Sequence, residues 1–283
     1  MYKIYIRAKM IYLKILTIIF LFCTNVYAGD EKKAKTKVLD KMTGGLSSAI
    51  ENFISAEGGD TEVQITAGED YKPEFSIMTV KPLSHHPGVD AWFVQLQIND
   101  TKIRGKARFA TNVGIGYRKL AESKNSFTGA NFFIDYDEHN NARASIGLEL
   151  RSAAFEAVIN YYEALTGGKT VGDFTERTLG GYDATIVGEV PFLPWANLVL
   201  NNYEWQAEKG SSDNSGTKYS LEMTITPNFI IEGGGNDNSA DGYNRFVKAY
   251  LVFPGKNRVA ATDEFVLKDR DYTKDDGIMI GVW

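Results

Sequence analysis

Three histidines are the first residues to weigh for catalysis in this 283-residue chain. Ser84, His85 and His86 are consecutive. A serine hydrolase needs its serine and histidine within hydrogen-bond reach, and adjacency alone is a weak signal of that. On the strand pattern set out below, His85 and His86 fall in a connection after the second strand. His139 falls in a turn after the fifth, at the opposite end, so the three form no cluster. Asp237, Ser239 and Asp241-Gly242 imitate the start of a calcium loop, whose twelfth position should be a bidentate glutamate; Lys248 stands there instead. Gly168-Lys169-Thr170 imitates the end of a phosphate loop, but the leading glycine would fall at Glu163. These residues predict no catalytic, cofactor or metal site, and the chain reads as a non-enzyme.

The elements that would position any side chain begin with a leader. Lys3, Arg7, Lys9 and Lys14 precede a short apolar run from Ile15 to Cys23, followed by Val26-Tyr27-Ala28. Positive start, apolar centre and small-residue end are the layout of a secretory signal peptide cleaved near Ala28. The run is well short of the ~20 residues a spanning helix needs. Beyond residue 28 the 255 remaining residues carry 27 basic and 36 acidic side chains, a net charge of −9, and no cysteine, since the single Cys23 lies in the leader. That excludes disulfides, cysteine metal sites and cysteine nucleophiles, and speaks against nucleic acid as a partner. With 15 Tyr, 16 Phe and 27 Gly against 7 Pro, the composition suits long strands.

Residues 29–60 read as a polar lead followed by a short amphipathic helix, with Val38, Leu39, Met42, Leu46, Ala49, Ile50, Phe53 and Ile54 on one face. From Thr61 the period becomes two. Trp92, Val94, Leu96 and Ile98 alternate with polar partners, as do Phe109, Thr111, Val113 and Ile115, then Ala144, Ile146, Leu148 and Leu150, then Tyr219, Leu221 and Met223. One face is largely apolar and the other polar and often charged. About twelve segments of roughly 9 to 11 residues recur between 61 and 253, the length a tilted strand needs to cross a bilayer. Short turns at Ser152-Ala153, Pro191 to Trp195 and Pro227-Asn228 alternate with longer polar loops at Gly167 to Leu179, Glu208 to Gly216 and Gly234 to Gly242, the asymmetry of outer-membrane barrels.

The pattern predicts an all-β fold, a transmembrane antiparallel barrel with its apolar face toward outer-membrane lipid. In lipid an unpaired backbone amide costs several kcal/mol, and only a closed sheet pairs every strand. The polar face then forms the lumen wall, carrying Lys106, Arg108, Arg118, Arg143, Glu149, Arg151, Lys218 and Glu222. Asp135, Asp137, Glu149 and Asp183 are read with the lumenal arginines as ion pairs bracing that wall rather than as an ion-selectivity site. Trp92, Tyr117, Tyr182, Trp195, Tyr203 and Trp205 are read as interfacial girdles.

From Tyr117 to Glu204 the sequence resembles the β-barrel domain of inverse autotransporters, the intimin and invasin group. Gly129-Ala130-Asn131-Phe132-Phe133-Ile134-Asp135-Tyr136-Asp137 looks like the family's G-x-N-F-F-x-D-x-D segment. Arg143 and Ile146-Gly147-Leu148-Glu149 fit the next strand, and Asn160-Tyr161-Tyr162 looks like its N-x-Y position. Glu176-Arg177, Gly181-Tyr182-Asp183, Gly188, Pro191 and Pro194 look like its E-R…G-Y-D…G-x-x-P-x-x-P run. The resemblance implies a twelve-stranded barrel with a periplasmic N-terminus, inserted by the outer-membrane assembly machinery, whose chain threads back through the pore to an extracellular passenger. It also implies that Glu176, Arg177 and Asp183 share in bracing the wall. The thirty residues after Phe253 are expected to serve as a linker or plug and not as an adhesin module, so anchoring or translocating this short segment is the first expectation. A small outer-membrane pore is the alternative. A partner at the cell surface or in the periplasm is compatible with either reading.

Overall fold

The computed structural model describes residues 58–68, 74–103, 106–152, 155–171, 173–207, 213–254 and 259–262, and of 101–103, 106, 107 and 174 the backbone only. The expected leader and the helix between Val38 and Ile54 lie outside the described residues, as does the Lys106 side chain.

Alternation of apolar and polar residues extends the chain, and each strand pairs antiparallel with its neighbours. The elements are β1 (Asp60–Gly68), β2 (Glu74–His86), β3 (Asp90–Ile103), β4 (Lys106–Leu120), β5 (Ser126–Asp137), β6 (Ala142–Ser152), β7 (Phe155–Ala164), β8 (Lys169–Val171), β9 (Phe174–Glu176), β10 (Gly180–Val190), β11 (Leu193–Gln206), β12 (Asn214–Thr226), β13 (Phe229–Asn238) and β14 (Gly242–Phe253). Twelve of them close a barrel, β1 completing the ring by pairing with β14 from Thr61↔Phe253 to Gly68↔Phe246. β8 and β9 form a separate hairpin inside the connection from β7 to β10. Among the described residues no helix is long and apolar enough to cross a membrane.

The register fixes which face each residue takes. Phe109, Ile146, Leu148, Ile159, Leu198 and Val247 are exposed, while Arg108, Arg118, Glu149, Arg151 and Glu156, on the opposite parity, are buried. Phe109 is 56% and Leu148 60% exposed, against 6% for Arg108 and 4% for Glu149, an inversion of soluble-protein polarity that only an apolar surround makes favourable.

Two features depart from the sequence reading. The loop expected from Gly234 to Gly242 is only a short turn at 239–241, because β13 continues to Asn238. The Asn238 carboxamide oxygen accepts from Ala240 N at 3.0 Å and Asp241 N at 2.8 Å, closing the reversal without further residues. Tyr203 and Trp205 are not girdle residues. They share the inward parity of Asp183 and Asn201, Tyr203 is buried, and its hydroxyl donates to Asn236 Oδ1 at 3.1 Å. Trp92 and Tyr182 are exposed on the outer face, and Trp195 is half-buried near the start of β11.

Candidate functional site

The lumen is the one concave surface that all twelve barrel strands build. The end holding Asp60 and Phe253 is termed the proximal mouth, the other the distal mouth.

Near the proximal mouth the wall is dry. Arg118 on β4 donates Nε to Glu149 Oε1 at 2.6 Å and Nη2 to Oε2 at 3.1 Å. Arg151, two residues along β6 on the same face, donates Nε to Glu149 Oε2 at 3.1 Å and Nη1 to Glu156 Oε2 at 3.2 Å. The Arg118 guanidinium also lies over the Phe93 ring at 4.2 Å and faces Phe127 at 5.4 Å. Around it Val80, Ala91, Phe93, Leu120, Phe127, Phe133 and Val158 form an apolar cluster, all of inward parity. The lumen is therefore not ionic throughout, as the sequence reading has it. Charges buried in such a cluster persist because each has a hydrogen-bonded partner.

Toward the distal mouth the wall is wetter. Arg108 donates Nη2 to Glu176 Oε1 at 2.7 Å and Nη1 to Asp137 Oδ2 at 3.3 Å. Glu176 comes from β9, so this pair ties the β8–β9 hairpin to the barrel. Asp137 also accepts from the backbone of His139 and Asn141, both at 2.9 Å, which turns β5 into β6. Arg143 pairs with Asp135 and lies over Tyr162 at 4.4 Å and Trp205 at 4.9 Å. Arg177 is exposed and lies beside Gly168 in the connection that carries the hairpin. On the far wall, in the proximal half of β11 to β13, Glu222 accepts from Asn197 Nδ2 at 3.2 Å, and buried Glu232 takes Ser220 Oγ at 2.7 Å and Lys248 Nζ at 3.0 Å. Lys218 lies 5.4 Å from the Tyr203 ring centre.

Between these zones runs a polar belt. Asn131, Gly147, Asn160 and Asp183 are paired in register across β5, β6, β7 and β10. Asn160 Nδ2 donates to Asp183 Oδ1 at 3.1 Å, and Asn201 Nδ2 on β11 donates to Asp183 Oδ2 at 3.2 Å. Gly147 is where a side chain is forbidden, because a Cβ there would collide with the Asn131 and Asn160 carboxamides. The same device recurs nearby: Phe133 lies where a Gly114 Cβ would be, Phe93 over Gly116, and Glu149 over Gly129. Lumenal side chains lie flat against glycines of the adjacent strand, which keeps bulk out of the centre.

The chain after β14 returns to the proximal end of β12. Ala261 N donates to Thr224 O at 2.8 Å, and Ala260 is buried. The Thr224 carbonyl sits at a bulge, where the β12–β13 register shifts between Thr224 and Thr226. Thr224 itself, like Ile230 and Val252, is buried.

Sequence reasoning missed the β8–β9 hairpin, the apolar cluster and the bulge. The alternating glycines at 114, 116 and 147 were the available signal for the flattened wall. Among the described residues no group of histidine, cysteine or carboxylate side chains could hold a metal ion.

The family model for the inverse autotransporter β-domain matches residues 22–255. Among curated proteins none matches the chain. A membrane-protein chain solved in a study of in-meso crystallization is 21% identical with a TM-score of 0.61, the match covering 69% of this chain and 83% of that one. That likeness is one of fold. KdgM porin is 9% identical with a TM-score of 0.47, covering 68% of this chain and 98% of the porin. Outer membrane phospholipase A from Escherichia coli is 9% identical with a TM-score of 0.41, covering 68% and 95%.

Proposed function

The chain belongs to the inverse autotransporter β-domain family, and on that premise we propose that its barrel anchors and passes the polypeptide that follows its own last strand. The molecule is an outer-membrane β-barrel of a translocator and anchor family rather than of an enzyme family. In the proposed arrangement residues 1–28 are a leader removed near Ala28, 29–60 are a periplasmic lead, 61–253 are the barrel and 254–283 enter the pore. The proximal mouth faces the periplasm, and the outer-membrane assembly machinery inserts the barrel into lipid. Arg118, Glu149, Arg151 and Glu156 brace the wall; Arg108, Asp137 and Glu176 hold the distal hairpin. The barrel performs no catalysis and needs no cofactor.

The observation that carries this reading is the bond from Ala261 N to the bulge carbonyl of Thr224, with Ala260 buried. It holds residues 260–261 against the proximal end of β12, at the mouth through which the following chain would enter. The test is an epitope placed after Trp283 and probed with protease on intact cells. Accessibility of the epitope at the surface supports passage through the pore. An epitope cut only after the outer membrane is opened contradicts it. Planar-bilayer recording with and without residues 254–283 separates the simple-channel alternative, which requires steady conductance by the full chain.

A further inference from the structure

The outer face near the proximal mouth changes character in three steps. Strand register sets the rows: Ile115 and Phe132 form one, Trp92, Tyr117 and Ala130 the next, and Asp90, Lys119 and Thr128 the last. The first row is apolar, the second largely aromatic and the third polar, which is the order of acyl chain, glycerol and headgroup in a lipid leaflet. Depth agrees. Lys119 and Phe109 stand ten residues apart on β4, about 33 Å along the strand and ~25 Å along the membrane normal at a ~40° tilt, one apolar band.

At the β4–β5 turn lies a cavity of about 230 Å³, room for about seven waters. Its polar lining is Lys119, Glu122, Ser126 and Thr128, joined by buried Leu120 and Phe127. Among the described residues none of these four polar side chains forms a hydrogen bond or an ion pair. Asp90, opposite Lys119 in the register, is already engaged: its carboxylate meets His86 Nδ1 at 2.7 Å and accepts from the Tyr117 hydroxyl at 3.0 Å. The Trp92 and Tyr117 rings, 5.0 Å apart, form a shelf between this polar row and the apolar one.

We propose that this cavity is a headgroup site for a phospholipid whose phosphodiester carries a primary ammonium, drawn from the leaflet at the proximal mouth. The Lys119 ammonium and the Ser126 and Thr128 hydroxyls donate to the phosphate, and the Glu122 carboxylate takes the lipid's ammonium. A cation and an anion in one small cavity match a zwitterion, whereas a bare basic rim matches any anion. The glycerol then lies at Trp92 and Tyr117 and the acyl chains along Ile115 and Phe132. The site depends on the lipid-facing assignment of the outer face and on nothing inside the pore.

The test is native mass spectrometry of the full chain, released from detergent micelles that carry equal amounts of phosphatidylethanolamine and phosphatidylglycerol with the same acyl chains. The barrel should retain the ethanolamine lipid about tenfold over the glycerol lipid, the effect of one charge-assisted hydrogen bond and the reverse of what a lone lysine does with a net anion. Glu122→Gln should abolish that preference and keep the glycerol lipid bound. Lys119→Gln combined with Thr128→Val should cut retention of both lipids about tenfold. Arg245→Gln, on the outer face toward the distal mouth, should change neither. Heat-modifiable migration confirms that each variant is folded before its lipid is counted. Equal retention of the two lipids, or an excess of the glycerol lipid, would overturn the site and leave an ordinary interfacial lysine. A preference that survives Glu122→Gln would overturn it as well, as would an equal loss from Arg245→Gln. Glycerophosphoethanolamine without acyl chains, added at the lipid's concentration, should displace none of it; full displacement would overturn a lipid as the occupant. None of these results bears on passage of residues 254–283, which the surface epitope decides.

Discussion

At the proximal end Glu149 bridges Arg118 and Arg151 with all three side chains 1% exposed or less. At the distal end Asp135 and Arg143 pair at 24% and 29% exposure, and Arg108 reaches out to Glu176 on a hairpin that belongs to no barrel strand. The residue types are the same, but the surroundings are not. In the dry cluster each charge depends on its partner, so the pair behaves as one unit of the wall. The half-exposed Asp135 and Arg143 each have water as an alternative, while Arg108, itself buried, fastens the hairpin to the wall. Ion pairs of one chemistry thus separate a rigid end of the lumen from an end that can be opened.

The sharpest way to break that contrast is to remove one proximal partner. Glu149→Ala takes the carboxylate from the Arg118 guanidinium beside Phe93 and Phe127 and leaves Arg151 with Glu156, and should cost about 3–5 kcal/mol in urea unfolding from detergent micelles. Asp135→Ala, at the half-exposed pair, should cost about 1 kcal/mol or less. Equal losses at the two sites would erase the distinction. Replacing Glu149, Arg118, Arg151 and Glu156 together with apolar residues should recover much of the loss, since the whole ion-paired group is then removed at once.

A second change tests the polarity on which both ends depend. Ile146→Arg puts a cation on the outer face of β6 and should destabilise insertion by about 2–4 kcal/mol. The effect should be read from the folded fraction after refolding into vesicles. A neutral result would mean that this face meets water.

A smaller effect is expected at the tether. Arg108→Gln removes its charge-assisted bonds to Glu176 and Asp137, worth about 1.5–3 kcal/mol. Limited proteolysis within residues 165–179 should speed up, while the barrel core stays resistant. The smallest effect is that of salt. At 1 M KCl, where the Debye length is ~3 Å, the coupling between Arg143 and Asp135 measured by a double-mutant cycle should fall, and that between Arg118 and Glu149 should hold.

Much of this architecture is legible in the sequence. The alternation through Phe109, Ile115, Ile146 and Leu148 gives the strands, their faces and the closed sheet, since a two-residue period admits one assignment per strand. β11 resists the same reading. Its aromatics Tyr203 and Trp205 occupy lumenal positions, where Trp205 stacks on Arg143 and Tyr203 lies over Gly216, so bulk and polarity no longer identify the face. The apolar cluster is hidden for a related reason. Phe93 and Phe133 follow Trp92 and Phe132 directly, and a pair of adjacent aromatics does not show which member turns inward. The belt is the least legible part. Asn131, Asn160 and Asp183 are each visible as motif residues, but only the pairing of four strands brings them to one level. The β8–β9 hairpin has three residues per strand, too few for a period to register.

The central claim is that the apolar face of the strands meets lipid and the polar face meets the lumen. Spin labels placed one at a time from Gly129 to Asp135 on β5, in reconstituted membranes, test it directly through collision with lipid-soluble oxygen and with a water-soluble nickel complex. The account predicts oxygen contact peaking at 130, 132 and 134 and falling at 129, 131, 133 and 135. The reverse phase, or no two-residue period, would contradict it.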